Sequence, residues 1–299
     1  MNELRRGRVL VGHGGESVVQ AEDGALHRCL TRRRTGRAVC GDSVEWRPET
    51  AGTGIIERIL PRRNELTRTN YRGKARVLAA NLDCLMAVIA PEPKPDPELV
   101  DRYLVVAHSL DVEALVILNK RDLLDAEEDM EDALLSPWQG LGHPTIGVSS
   151  LRGDGLDGLR QWIGARTGIL VGQSGVGKSS LINVMVPDRS ARTRALSEAS
   201  GLGRHTTTET TLYDLPGGGA LIDSPGIRIL RLGHLSPDSI ALGFRDFQPY
   251  LGRCRYRDCS HREEPGCAIV EASRRGLIDQ RRLASYHALL AECRGFAAG

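Results

Sequence analysis

Apolar positions fall into two regimes along the chain. Up to about residue 60 they come in short runs broken by Gly-rich turns, at Arg8–Val11, Ser17–Ala21, Cys29–Thr31, Val39–Trp46 and Ile55–Leu60. Short apolar runs bounded by turn residues predict strands. Five of them in so short a segment suit a small all-β barrel, and the OB-fold is the leading architecture.

From about residue 77 the pattern changes. Leu82–Ala90 is a continuous apolar run of the buried-strand type and ends in the Pro-rich loop Pro91–Pro97. A helix is expected next, with Asp96 as N-cap and Pro97 at the first helical position. Its apolar face is Leu99, Val100, Tyr103, Leu104 and Ala107. Leu115–Leu118, Ile169–Val171 and Leu221–Ile222 predict further strands, and a helix is expected at about 156–165. Strands alternating with helices imply a mostly parallel α/β sheet, with ligands bound at the carboxyl ends of its strands.

A length of 299 residues permits two domains and a small third. No run approaches the roughly 18 apolar residues of a spanning helix. Met1–Arg6 leads into no apolar h-region, so a cytoplasmic protein without a membrane role is expected. The net charge of +2 hides an uneven spread: +7 over residues 1–76, −8 over 77–250 and +3 over 251–299. Basic ends suit a polyanion such as nucleic acid, or are simply solvated surface. The loop Thr31–Arg37 carries Arg32, Arg33, Arg34 and Arg37, and Trp46 is the only aromatic residue before Tyr71. Contact there would be with phosphates rather than bases, hence salt-sensitive.

The strongest chemical signal is Gly172-Gln173-Ser174-Gly175-Val176-Gly177-Lys178-Ser179, a G-x-x-x-x-G-K-[ST] run between an apolar strand and a helix-forming segment that starts with Ser180. In that context the backbone N–H groups close around phosphates. Lys178 is expected on the β/γ-phosphates and the Ser179 hydroxyl on magnesium. Asp223-Ser224-Pro225-Gly226 fits D-x-x-G at a strand end. Asp223 is expected to hold magnesium through water, and the Gly226 N–H to contact the γ-phosphate. Asn119-Lys120-Arg121-Asp122 fits N-K-x-D, also at a strand end. Asp122 can accept from guanine N1–H and the exocyclic amine, a donor pair that adenine lacks. Val148-Ser149-Ser150 suits a loop beside the base. Each motif alone also fits a polar turn; together they specify a GTP site.

The order is unusual. The base-reading motifs come first, and the P-loop, the Thr-rich segment Gly203–Thr208 and D-x-x-G follow. The same sheet assembles if the old ends are joined through the helix near 156–165, which makes this a circular permutation. Either Thr206 or Thr207 is expected to complete the magnesium shell. Where many GTPases carry a water-positioning Gln after D-x-x-G, this chain has Ile227. His205 is therefore the residue expected to position the attacking water, with Lys178 as the other catalytic residue. A solvated switch-loop histidine is the alternative.

Of seven cysteines, Cys29, Cys40 and Cys84 sit in strand-like stretches and suit small core residues. Cys254-x₄-Cys259-x-His261-x₅-Cys267 supplies three thiolates and an imidazole, a complete set for one structural zinc. The helices expected near 268–275 and 279–294 carry Arg274, Arg275, Arg281 and Arg282, so a basic zinc-pinned module is expected.

These motifs, with Tyr250–Cys254 and Cys267–Val270, closely resemble the RsgA (YjeQ) family of circularly permuted GTPases over nearly the whole chain. The resemblance implies an OB-fold at 1–70, a permuted GTPase domain at 71–235 and a zinc-binding helical domain at 236–299. It also implies a factor in late maturation of the small ribosomal subunit that binds its rRNA and is stimulated by that subunit. A monomer binding GTP and GDP is expected. The residues alone leave two other readings open: a permuted GTPase with another RNA or protein partner, and a nucleotide-gated RNA-binding module with little turnover.

Overall fold

The computed structural model describes residues 3–49, 52–69, 75–124, 128–187, 189–200, 210–224, 230, 232 and 235–297. The expected N-terminal strands are present as β1 (Arg5–His13), β2 (Glu16–Ala21), β3 (Leu26–Thr31), β4 (Ser43–Pro48) and β5 (Thr53–Ile59). β1–β2, β2–β3, β4–β5 and β1–β4 pair antiparallel, while β3–β5 pair parallel. The circuit β1-β2-β3-β5-β4-β1 is a closed OB-like barrel. Alternate residues point inward, so Val9, Val19, Cys29, Val44, Trp46 and Ile56 form a separate small core. Trp46 is fully buried there, which removes it as a stacking platform, while Arg32, Arg33, Arg34 and Arg37 are exposed.

A hairpin not expected from the sequence, β6 (Glu65–Thr69) with β7 (Ala75–Ala80), follows the barrel and straddles residue 70. β7 touches the barrel through a bridge between Ala79 and Cys40.

The central sheet contains β8 (Cys84–Ile89), β9 (Glu113–Leu118), β10 (Thr145–Gly147), β11 (Thr167–Gly172), β12 (Thr211–Asp214) and β13 (Ala220–Asp223), ordered β10-β9-β8-β11-β13-β12. All pairs are parallel except β12–β13. β11, which leads into the P-loop, has β8 on one side and β13 on the other. Strands from both earlier and later in the chain thus flank it, as the permuted order requires. Around the sheet lie α1 (Pro97–Ser109), α2 (Glu128–Gln139), α3 (Leu156–Ile163), α4 (Lys178–Met185) and α5 (Arg189–Ser200). Asp96 caps α1 by accepting from the N–H groups of Glu98 and Leu99. β1 also pairs with β12 at Val11↔Thr211, which makes barrel and central sheet continuous.

The C-terminal part has α6 (Pro237–Leu242), α7 (Ala268–Arg274) and α8 (Gln280–Ala297). Of the four arginines expected on a basic surface here, two are exposed and two are not. Arg274 and Arg275 are exposed, but Arg281 and Arg282 turn inward onto Asp101 of α1 at 2.8 and 2.6 Å. Asp101 is fully buried and would otherwise be an uncompensated charge. Among the described residues no helix is long and apolar enough to cross a membrane.

Candidate nucleotide site and metal centre

The carboxyl ends of β9, β11 and β13 bring the three nucleotide motifs to one edge of the sheet. Between β11 and α4, Gly172 and Gly177 each do what a larger residue could not. A Cβ on Gly172 would lie 2.3 Å from the Val88 carbonyl oxygen. Gly177 adopts φ 89°, and its Cβ would meet Asn119 Nδ2 at 2.3 Å. Val176 is buried beneath the loop, while Ser174, Gly175, Ser179 and Ser180 are exposed on its open side. The N-terminus of α4 faces this loop, and the positive end of a helix suits an anion. Lys178 Nζ is held at the loop by the carbonyls of Gly172 and Gln173, at 2.7 and 2.5 Å.

The segment expected to read the base is bonded to the same loop. Asn119, fully buried at the end of β9, donates through Nδ2 to Val176 O at 2.9 Å. Its Oδ1 accepts from Ser150 N at 3.1 Å. Lys120 takes a left-handed conformation, φ 60°, and donates to Glu92 O at 2.8 Å. Arg121 pairs with Glu131 of α2 at 2.5 Å. The Ser149 hydroxyl donates to one Asp122 carboxylate oxygen. That fixes the carboxylate and leaves its other oxygen for a ligand. A rigid acceptor at this position is what discrimination of guanine requires.

Asp223 ends β13 half-buried. Burial pushes its carboxyl pKa up, and the charges of Arg189 and then Lys178 pull it back. With the Ser179 hydroxyl it offers the oxygen donors that a small hard cation needs. A guanidinium, Arg189, already stands on that carboxylate, so the site accommodates positive charge. No feature of the sequence pattern singled out Arg189, which opens a helix without an apolar face. His205, Thr206, Thr207, Gly226 and Ile227 lie outside the described residues.

The second centre is the cysteine–histidine cluster, whose four ligand atoms lie within 4.8 Å of one another. Cys254 Sγ and Cys267 Sγ are 3.9 Å apart, and each is 3.5 Å from His261 Nδ1. A tetrahedral Zn–S shell of about 2.3 Å implies edges of about 3.8 Å, so the set fits an ion at its middle. Burial pushes the Cys259 thiol up to about 12 and raises Cys267 as well. A cation among them is what would hold the thiolates. The loop is shaped by Glu264, which accepts from Ser260, Arg262 and Glu263 N–H groups at 2.7, 2.8 and 3.1 Å. The His261 carbonyl, at φ 58°, is paired with His287 Nε2 of α8 at 2.6 Å.

The profile of the RsgA GTPase family matches residues 59–233. A small ribosomal subunit biogenesis GTPase RsgA from Actinobacillus pleuropneumoniae is 44% identical over 295 residues, 97% of this chain and 86% of that protein. Its namesake from Ectopseudomonas mendocina is 46% identical over 289 residues, 95% and 84% of the two chains. Among solved structures, YjeQ from Thermotoga maritima superimposes with a TM-score of 0.78 at 30% identity, covering 98% of this chain and 99% of that one. YloQ, described as a circularly permuted GTPase, gives 0.74 at 25% identity, covering 98% and 96%.

Proposed function

This chain belongs to the RsgA GTPase family and is a GTP hydrolase; we propose that it acts in late maturation of the small ribosomal subunit, binding that subunit and its rRNA. The observation that carries the nucleotide chemistry is the double hydrogen bond of Asn119, which unites the base loop and the phosphate loop. In this reading Gly172–Ser180 wrap the phosphates, Lys178 neutralises charge on the β/γ-phosphates, and Asp122 reads guanine beside Ser149 and Ser150. Magnesium is held by Ser179, Asp223 and Thr206 or Thr207, and supplies charge neutralisation at the γ-phosphate. His205 positions the attacking water, since Ile227 cannot, and Gly226 senses the γ-phosphate. Cys254, Cys259, His261 and Cys267 hold one structural zinc.

The division into 1–70, 71–235 and 236–299 assigns rRNA contact to the barrel with its exposed arginines and to the C-terminal module. The protein works as a monomer in the cytoplasm, alternating between GTP and GDP. The test is GTP hydrolysis with and without purified small subunits, together with co-sedimentation. Stimulation and nucleotide-dependent co-sedimentation are expected. Neither effect, with hydrolysis intact, would transfer the reading to another RNA or protein partner.

A further inference from the structure

Asp223 is gripped through Oδ2 by Nη2 of Arg189, the first residue of α5. Arg189 Nη1 donates to Asn183 Oδ1 of α4. The guanidinium lies 5.5 Å from the centre of the Tyr213 ring on β12, and Tyr213 is itself tied to Thr193 of α5 at 3.0 Å. Elements on three sides of Asp223 therefore hold one cation in place. The two side chains are only 21% and 13% exposed, so the pair is less screened than a surface ion pair. Of the two positive charges acting on Asp223, Arg189 is the stronger and Lys178 the weaker.

We infer that Arg189 is the resident counter-cation of Asp223 and competes with magnesium for this carboxylate, so that it sets the magnesium concentration at which nucleotide is held. The inference rests on reading Asp223 as a magnesium residue. A divalent ion brought to Asp223 meets a guanidinium already bound to the same group, and like charges at that separation repel. Arg189 must turn away or the metal binds more weakly. Its long side chain at a helix start lets it leave without displacing α5. Arg189 is thus a positioning residue that acts through Asp223. A purely supporting role, in which it orients Asp223 for the metal, predicts the opposite sign.

The test follows release of a fluorescent GDP analogue from the full chain as magnesium is raised from chelator to millimolar levels, a readout independent of turnover. Arg189→Met keeps an apolar stem over Tyr213 and removes the charge. It is expected to lower the half-saturating magnesium about fivefold, the equivalent of a modest ion pair. Arg189→Lys is expected to stay near the parent. Should the Met variant not fold, Arg189→Gln carries the same expectation. A half-saturation that is unchanged or raised in the uncharged variant overturns the inference. Asp223→Asn separates the two levels. If it leaves the magnesium response intact, the reading of Asp223 fails and the inference with it. If it raises the requirement while Arg189→Met does not lower it, only the inference fails.

Discussion

Asn119 donates to the Val176 carbonyl at 2.9 Å, so a buried amide at the end of one strand braces a phosphate loop 57 residues further on. Asn119→Ala leaves Val176 O and Ser150 N–H without their partners. Each unmet buried group costs about 1–3 kcal/mol. Guanine nucleotide affinity is expected to fall at least tenfold and the urea midpoint to drop. Nucleotide titration and urea denaturation of the same preparation check both, and parental affinity would refute the bracing role.

The other side of that contact is Gly177. At φ 89°, with a Cβ position 2.3 Å from Asn119 Nδ2, Gly177→Ala incurs left-handed strain of about 1–2 kcal/mol. It also pushes on an amide that Val176 holds fast. Nucleotide binding is expected to be lost while the far-ultraviolet circular dichroism stays native. An Ala variant that binds GDP as the parent does would show that the loop has slack at this point.

The segments proposed to hold the nucleotide were legible because such motifs are local. Gly172–Ser179 and Asn119–Asp122 are continuous segments, and Asp96 before Pro97 announces a helix from two residues alone. What stayed hidden depends on partners far along the chain. Asp101 and Arg102 look like solvent-facing charges on α1, yet both are buried because α8 covers them. Arg281 and Arg282 look like basic surface for the same reason. α5, with Arg189, Arg192 and Arg194 and no apolar stripe, gives no helical periodicity. Charge pairing across 181 residues leaves no trace in an amphipathic pattern.

Asp101 shows how much such a hidden pair matters. It is fully buried between Arg281 and Arg282, and Arg282 is also bound to Asp246 at 2.6 Å. Asp101→Ala removes the carboxylate and leaves a buried guanidinium half-compensated, an expected loss of about 3–5 kcal/mol. The exposed pair Arg160–Asp157 provides the contrast, since Asp157→Ala should leave the denaturation midpoint close to the parent's. Chemical denaturation of the two variants measures the difference. Similar losses in both would mean that the Asp101 network carries little.

His143 makes stability depend on pH. It is buried between α2 and β10, and neither ring nitrogen has a hydrogen-bond partner among the described residues. Burial first, then Arg245 and Arg282, holds its pKa down to about 4 from 6.5, against the pull of Asp246. The unfolded chain thus binds more protons between those values, and stability falls as pH drops through the window. Between pH 7 and pH 5 this one group accounts for about 2 kcal/mol. His143→Phe should flatten the pH dependence by that amount in urea denaturation at the two pH values. An unchanged slope would mean that the imidazole is not buried neutral.

The metal centre should matter to its own module and leave nucleotide binding alone. The four residues come from one loop, Cys254–Cys267, which is bonded to α8 through His287 and the His261 carbonyl at 2.6 Å and packs on the core through Cys267 and on Tyr286 through His261. None of Cys254, Cys259, His261 and Cys267 shares a hydrogen bond with Gly172–Ser180 or Asn119–Asp122 among the described residues. Parent protein is expected to hold about one zinc per chain, in line with a closed four-ligand site. Cys259→Ser should release it and raise amide exchange in α7 and the ligand loop, because binding free energy at such a site is folding free energy. Affinity for GDP should stay within about threefold of the parent, less than 1 kcal/mol. Zinc well below one per chain in the parent would contradict the assignment, and lost GDP binding in Cys259→Ser would show that α8 and α1 pass the disturbance to the P-loop.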